Sequence, residues 1–563
     1  MKYSEIIKLN SDLKDSLDGS HYNVFIASNI MVHQSKEICE FSLRRESVNA
    51  SVSIGRYDNI VQDSSKVKNV DAVLIFWEVF NFVDGLHYKI DTLTEVEFQN
   101  LIQKVKLEID LVFSNLKNVP LVLINKFSTL VFNQFNLSDN RISQLAKILN
   151  LYLANTAKEN TKIVDIDKVI SRLSIDLSID LRYYYSSKTL YSIKFYRQYF
   201  EYIKPFFLST VGKAKKALIF DCDNTLWKGV LGEDGPDGIK VYQEIQYLAL
   251  SLESQGVIIG LCSKNNLEDV DEVLKHHTDM ILRDENIAIK KVNWGNKVDN
   301  LRSIANDLNI GLDSLVFFDD SSFEVELVAR ELPDVKVFQV PPKEYEYGQL
   351  FREVFNLFYS PVRTKEDKSK SKMYKDQSKR LEEKESSKNI EDYLISLGIV
   401  IEVYEDNLSH APRIAQLTQK TNQFNLTTKR YTESDIKAFI QGCDKIVLSI
   451  EVFDKFGPSG LTGVAILCKK TCEIDSLLLS CRVLGRNIEY KFMEIIISIA
   501  KKNELKVLRG NYVKTYKNSQ VENFYDKCGF NIKDRTDKNS IYSIDVDEFN
   551  RDSIDYIKVN HGR

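Results

Sequence analysis

The sequence predicts an α/β protein built from several domains, on three observations. The 563 residues exceed what one hydrophobic core organises, which sets the expectation at three or four domains. Short β-rich apolar runs alternate with stretches whose apolar residues recur at three and four spacing. Several of those runs end in acidic residues, at the strand ends where ligands sit in open α/β sheets.

Bulk properties exclude other classes. With 43% hydrophobic and 28% charged residues the chain reads as an ordinary globular protein. The 76 basic and 80 acidic residues leave a formal net charge of -4 without a basic arm or stripe, so no nucleic acid partner is expected. The opening "MKYSEIIKLNSDLKDSLDGS" is polar, and no segment approaches the roughly 18 uninterrupted apolar residues of a spanning helix. No membrane partner is expected, and the expected location is cytoplasmic. Eight cysteines, from Cys39 to Cys528, form no regular framework and are read as reduced thiols.

Residues 1–205 carry the strands "YNVFIAS", "ASVSIG", "VDAVLIF" and "VPLVLIN", with helical periodicity in "EVEFQNLIQKVKLEIDLVF" between the last two. That alternation predicts an N-terminal α/β sandwich with a parallel sheet covered by helices. Ser28, in "IASNI", and Asp165 with Asp167, in "TKIVDIDKVI", are read as strand-end cap or turn residues.

Residues 213–360 hold the candidate chemistry. "FDCDNTLWKGV" puts Asp221 and Asp223 one residue apart beyond the apolar run "ALIF". Two carboxylates so placed can face one pocket, one as nucleophile and one as acid, and with a divalent cation they suit phosphoryl transfer. The run "GVIIGLCS" then ends in Ser263 followed by "KNN", a hydroxyl and amides that can bond a phosphate. Lys297 stands in "NWGNKVDNLRSIA", and "SLVFFDDSS" presents Asp319 and Asp320 at another strand end.

Acid pair, hydroxyl, lysine, acid pair is the motif order of the haloacid dehalogenase superfamily, which this stretch resembles. The resemblance implies a Rossmann-like domain in which Asp221 becomes an aspartyl phosphate and Asp223 is general acid and base. Ser263 and Lys297 would hold the phosphoryl group. Asp319, helped by Asp320, would bind Mg2+ with Asp221 and the backbone carbonyl of Asp223. Only 39 residues separate Asp223 from Ser263, too few for a large lid domain, so a group presented on a macromolecule is expected at some stage.

Longer phrases narrow the resemblance. "DCDNTLWKGVLGEDG", "LCSKNN", "NLRSIANDLNIGLDSLVFFDD", "LTQKTNQFNLTTKRY", "DKFGPSGLTGVAIL" and "SCRVLGRNIE" together are similar to the FkbH-like proteins over roughly residues 20 to 540. That family implies an SGNH-like fold for residues 1–205. It also implies transfer of a glyceryl unit from a phosphorylated glycerate, such as 1,3-bisphosphoglycerate, to the phosphopantetheine thiol of an acyl carrier protein, for polyketide-type assembly. Cys222, between the two aspartates, is then a candidate to carry the glyceryl group, although neighbouring carboxylates discourage its ionisation unless the metal offsets them. The chain departs from the family pattern at Lys228, where glycine is expected, and in "DDSSFEVE", where Ser321, Ser322 and Val325 replace an amide, a proline and an arginine. These departures leave the identity of the acyl group open.

Residues 361–389, "TKEDKSKSKMYKDQSKRLEEKESSKN" in their main part, are read as an exposed, charged connecting helix. Residues 390–550 run through strand "GIVIEVYE", helix "APRIAQLTQKT", strands "KIVLSIEVFD", "GLTGVAILC" and "CEIDSLLLS", and helix "EYKFMEIIISIAKK". This α+β succession resembles the GNAT acyltransferase fold, whose R-x-x-G-x-G/A loop binds the pyrophosphate of coenzyme A at a helix N-terminus. Arg482, Gly485 and Asn487 occupy those positions, with Asn487 where a small residue is expected. Asn422, Gln423 and Asn425 of "TNQFN", with Arg482 and Gly485, are the candidate groove for a phosphopantetheine arm. A second reading is a free-standing phosphatase whose flanking domains only bind a partner or a saccharide precursor.

Overall fold

The computed structural model describes residues 2–17, 21–133, 140–359, 373–377, 380, 383, 389–515, 517–549 and 554–562. The chain is multidomain α/β and divides into two compact units, Met1–Val211 and Gly212–Arg563. The division falls a little beyond residue 205 because helix Ile193–Thr210 buries Tyr199, Ile203 and Phe207 in the first core. No helix among the described residues is long and apolar enough to cross a membrane. All eight cysteines are free.

The first unit contains β1 (Tyr22–Ser28), β2 (Ala50–Ile54), β3 (Ala72–Phe76), β4 (Leu121–Asn125) and β5 (Thr161–Val164). They form a parallel sheet in the order β2-β1-β3-β4-β5. Every residue of β3 and β4 is buried, as strands covered on both faces require. Helix Glu95–Asn115 starts at a capping box: the Thr94 hydroxyl accepts from the Glu97 N–H, and the Glu97 carboxylate accepts from the Thr94 N–H at 2.8 Å. Its buried Phe98, Leu101, Ile102, Val105, Ile109 and Val112 trace one helical face.

Ser28 and the aspartates beyond β5 have local partners. The Ser28 hydroxyl donates to the Ile30 carbonyl at 2.5 Å, and Lys126 pairs with Asp165 at 2.6 Å and Asp167 at 2.7 Å. Strand order reverses between β1 and β3, and Glu78 lies buried just beyond β3. The Asn29 amide bonds the Glu78 N–H and C=O at 2.7 and 2.9 Å, and the Tyr191 hydroxyl donates to the Glu78 carboxylate at 2.8 Å. Burial pushes the Glu78 carboxyl up to about 7, against the opposing pull of Tyr191.

The second unit contains β6 (Ala217–Phe220), the short antiparallel pair β7 (Trp227–Lys228) and β8 (Lys240–Val241), then β9 (Ile258–Ser263), β10 (Ile287–Val292), β11 (Leu315–Asp319) and β12 (Lys336–Gln339). A second parallel sheet runs β10-β9-β6-β11-β12. Next come β13 (Val400–Glu405), β14 (Lys445–Asp454), β15 (Gly457–Cys468), β16 (Glu473–Leu479), β17 (Val507–Val513), β18 (Asn531–Arg535), β19 (Asn539–Asp545) and β20 (Lys558–His561). They form a mixed sheet in the order β18-β19-β17-β16-β15-β14-β13-β20. The last block therefore extends past residue 550, since β20 pairs in parallel with β13.

In this sheet β16 and β17 pair only at Glu473 with Arg509 and Ile474 with Gly510, and then part. The opening is filled by the chain itself. The Leu479 N–H donates to the Phe424 carbonyl at 3.0 Å, the Leu426 N–H to the Leu477 carbonyl at 3.1 Å, and the Val513 N–H to the Leu426 carbonyl at 2.8 Å. Unpaired strand edges thereby find partners.

The charged connecting segment differs from its expected exposure. Its described residues 373–377, 380 and 383 are helical, but Met373, Tyr374, Asp376 and Arg380 are buried. Arg380 makes two bonds of 2.8 Å to the buried Asp454 of β14, and Lys375 lies 2.9 Å from Asp284 before β10. Opposite charges supplied from both sides hold it down. The remainder of residues 361–388 lies outside the described residues.

Candidate active site

Three neighbouring strands of the second parallel sheet bring the motif residues together. The buried runs of β6, β9 and β11 fix a register that pairs Phe220 with Leu261 and with Phe318, so the strand tips come level. Asp221 follows β6 directly, its N–H bonding the Phe318 carbonyl at 2.8 Å. Ser263 ends β9 and Asp319 ends β11. Lys297 opens helix Lys297–Asp307 behind the Asn296 cap and reaches the same place.

The Lys297 ammonium lies 3.1 Å from Asp221 Oδ1 and 2.6 Å from Asp319 Oδ2, with all three side chains buried. The Ser263 hydroxyl hydrogen-bonds Asp221. Asp221, Asp319 and Asp320 each offer a carboxylate oxygen within 4.8 Å of the others. Burial raises all three carboxyls above the usual range, while Lys297 pulls each of them back. Lys297 itself is raised: burial opposes its charge, but Asp221 and Asp319 outweigh that.

The donor set fits a divalent cation. One lysine among three clustered carboxylates leaves two negative charges uncompensated in a buried place, and hard oxygen donors are what Mg2+ takes. The Asp223 side chain stands apart from this cluster. Its Oδ1 accepts from Trp227 Nε1 at 2.9 Å and the Leu231 N–H at 3.2 Å, and its Oδ2 from Asn265 Nδ2 at 3.1 Å. Asn265 also donates to Ser263 Oγ at 3.1 Å, linking the two positions. Trp227 and Asn265 thus orient Asp223. Asn265 belongs to the amides expected after Ser263, whereas Trp227 shows only as an aromatic four residues beyond an aspartate.

Cys222 does not suit the expected carrier role. Its side chain is fully buried among Leu218, Phe220 and Leu226, and burial together with Asp221 raises its thiol well above the ordinary value. Full burial gives the thiol little access to a bulky acyl donor. Ser321 replaces the expected amide with a helix cap: its hydroxyl accepts from the Glu324 N–H at 3.4 Å, and its own N–H donates to Asp319 Oδ1 at 2.9 Å.

The candidate groove residues separate. Gly485, at φ 76°, lines a cavity of about 180 Å³ with Phe424, Glu489 and Lys527, beside the start of helix Ile488–Lys502. Asn422 bonds the Gly212 carbonyl at 3.0 Å and Arg430 at 2.6 Å, and Asn425 bonds Thr421 and Thr428. Arg482 is buried against Ser480 and the Met373 sulfur. Gln423 Oε1 is buried without a hydrogen-bond partner among the described residues.

No protein-family model and no curated protein sequence matches the chain. Among solved structures, the chain is similar to the N-terminal part of the protein BF1531 from Bacteroides fragilis, which contains a phosphatase domain complexed with Mg. That likeness covers 64% of this chain and 100% of that chain, with a TM-score of 0.55 and 23% identity, and is one of fold. Two N-acetyltransferases each cover 26% of this chain. The ribosomal-protein-S18-alanine N-acetyltransferase from Escherichia coli is covered over 94% of its length, with a TM-score of 0.21 and 13% identity. The PaiA N-acetyltransferase from Thermoplasma acidophilum, in complex with coenzyme A, is covered over 98%, with a TM-score of 0.19 and 18% identity.

Proposed function

We propose that this chain is an FkbH-like, magnesium-dependent phosphatase coupled to acyl transfer, acting in the cytoplasm. It loads a glyceryl or related hydroxyacyl unit from a phosphorylated glycerate, such as 1,3-bisphosphoglycerate, onto the phosphopantetheine thiol of an acyl carrier protein and removes the remaining phosphate. The observation that carries this reading is the cluster of buried Asp221, Ser263, Lys297 and Asp319 with half-buried Asp320 at adjacent strand tips. The description of the Bacteroides fragilis neighbour, a phosphatase domain complexed with Mg, agrees with it.

A bound Mg2+, held by Asp221, Asp319, Asp320 and the Asp223 carbonyl, would neutralise charge on the phosphoryl oxygens. The chain's own groups do the rest. An Asp221 oxygen adds to phosphorus as the bond to the leaving oxygen breaks, and Asp223 protonates that oxygen. Asp223 then takes a proton from the water that attacks the aspartyl phosphate, releasing inorganic phosphate and restoring Asp221. Lys297 and Ser263 hold the phosphoryl oxygens throughout. In the transfer step the carrier thiolate adds to the acyl carbonyl, and the acyl carbon–oxygen bond breaks with phosphate leaving.

Incubation with Mg2+, 1,3-bisphosphoglycerate and a phosphopantetheinylated carrier, followed by intact-mass measurement, tests the reading. The expected outcome is a carrier heavier by one glyceryl group. Phosphate release without a carrier adduct would establish instead the free-standing phosphatase with binding domains. Occupation of the opening between β16 and β17 by Phe424–Leu426 favours that second reading.

A further inference from the structure

We infer that the side of the phosphoryl site facing the leaving group is a receptor for a neutral, amide-bearing arm with Trp294 as its wall. On this inference the phosphate is removed after the acyl group has joined its carrier. It rests on the phosphatase and acyl-transfer reading above and adds to it the species that is dephosphorylated.

An open cavity of about 390 Å³ lies between the loops that follow β9 and β10, lined by Asn265, Asn266, Glu268, Asp269, Asn293 and Trp294 among others. It adjoins the candidate catalytic residues through Asn265, which is 5% exposed and bonded to both Asp223 and Ser263. Trp294 is 71% exposed, whereas Trp77 and Trp227 are buried. It is nevertheless held in place. Its Nε1 donates to Asn266 Oδ1 at 3.1 Å, and the N–H of the preceding Asn293 donates to the Ser263 carbonyl at 3.1 Å. The indole is thus fastened to the strand tip that carries Ser263.

Charge selects the occupant. Among the described residues no lysine, arginine or histidine lines the cavity, while Glu268 and Asp269 line it with negative charge. Lys264, next to Ser263, is paired with Glu324 at 2.6 Å. A second phosphate or a free carboxylate in this cavity meets repulsion, so neither 1,3-bisphosphoglycerate nor 3-phosphoglycerate suits it. The pantetheine arm offers neutral amides and a hydroxyl for the asparagines and carboxylates, and methyl groups for the indole face. The matching substrate is a phosphoglyceryl thioester. Its phosphorus–oxygen bond breaks, the phosphoryl group passes to Asp221 and then to water, and the glyceryl oxygen takes its proton from Asp223 while the thioester stays intact.

The experiment uses the full chain with Mg2+ and three substrates: acetyl phosphate, 3-phosphoglycerate and 3-phosphoglyceryl-S-pantetheine. The thioester is expected to exceed 3-phosphoglycerate in kcat/KM by about tenfold or more. Trp294→Ala should raise KM for the thioester about tenfold with kcat unchanged. It should leave acetyl phosphate hydrolysis as it was, and Trp294→Phe should recover most of the loss. Pantetheine alone should change the fluorescence of the wild type but not of Trp294→Phe. Equal or faster hydrolysis of 3-phosphoglycerate, or an unchanged thioester KM in Trp294→Ala, overturns the inference and leaves the phosphatase reading standing. No phosphate from any of the three substrates removes that reading, and the inference falls with it.

Discussion

Asp221 and Glu78 both stand just beyond a fully buried strand of a five-stranded parallel sheet, β6 in the second unit and β3 in the first. Burial raises both carboxyls. Their partners differ. Asp221 has Lys297 at 3.1 Å, a serine hydroxyl and two further carboxylates, with an open cavity adjoining the site. Glu78 has a tyrosine hydroxyl and an asparagine, and no lysine or arginine pairs with it among the described residues. A strand-end acid becomes a candidate nucleophile only where a cation keeps it ionised and more carboxylates can gather a metal. Where burial meets only the weaker pull of a tyrosine hydroxyl, the acid holds its proton near neutrality.

The largest expected effect is that of Asp221→Asn. Phosphate release should fall by at least about 10³-fold. The same change should raise the melting temperature of the metal-free protein at neutral pH, because it removes one charge from a cluster whose carboxyls burial already disfavours. Retained turnover would end the contrast with Glu78. Lys297→Met comes next, with an expected loss of about 10²-fold in kcat and an acid limb of the pH–rate profile moved to higher pH as the Asp221 and Asp319 carboxyls rise further. An unaltered pH profile would mean that the lysine is not what keeps Asp221 ionised.

The smallest effect belongs to Glu78→Gln, which should leave phosphate release unchanged. With its folded value raised to about 7, Glu78 contributes stability below the ordinary glutamate range, and that stability is lost as pH rises through about 7. Protection of the β1 and β3 amides from hydrogen exchange, corrected for intrinsic rate, should therefore weaken by about 2 kcal/mol between pH 5 and 8 in the wild type. It should stay level in the variant. A level wild type would show the two acids to be alike.

The strands that carry the site were legible because each is an unbroken apolar run stopped by an acid or a hydroxyl, as in "ALIF" before Asp221 and "LVFF" before Asp319. Strands at the sheet edges were not. All five residues of β18 are exposed, and β20 has no buried residue, so only pairing with a neighbour makes them strands. In β17, Gly510 interrupts the apolar pattern because the Tyr525 ring lies where a side chain would go. The acid pairs, Ser263 and Lys297 could be placed by their order along the chain. The hold of Trp227 and Asn265 on Asp223, and of Asn266 on Trp294, depends on loops whose course no local pattern reveals. The connecting segment misled for a related reason, since Arg380 finds its counter-charge 74 residues away in Asp454.

That segment also governs how the second unit works as a machine. Lys375 fastens it to Asp284 on the parallel-sheet side, and Arg380 grips Asp454 on the mixed-sheet side. Arg486 holds Asp454 as well, so loss of that one carboxylate would leave two buried guanidiniums without their shared counter-charge. Ion pairs therefore tie the segment to both halves. On the carrier reading proposed above, a group passing from one to the other would travel on the length and suppleness of its own tether.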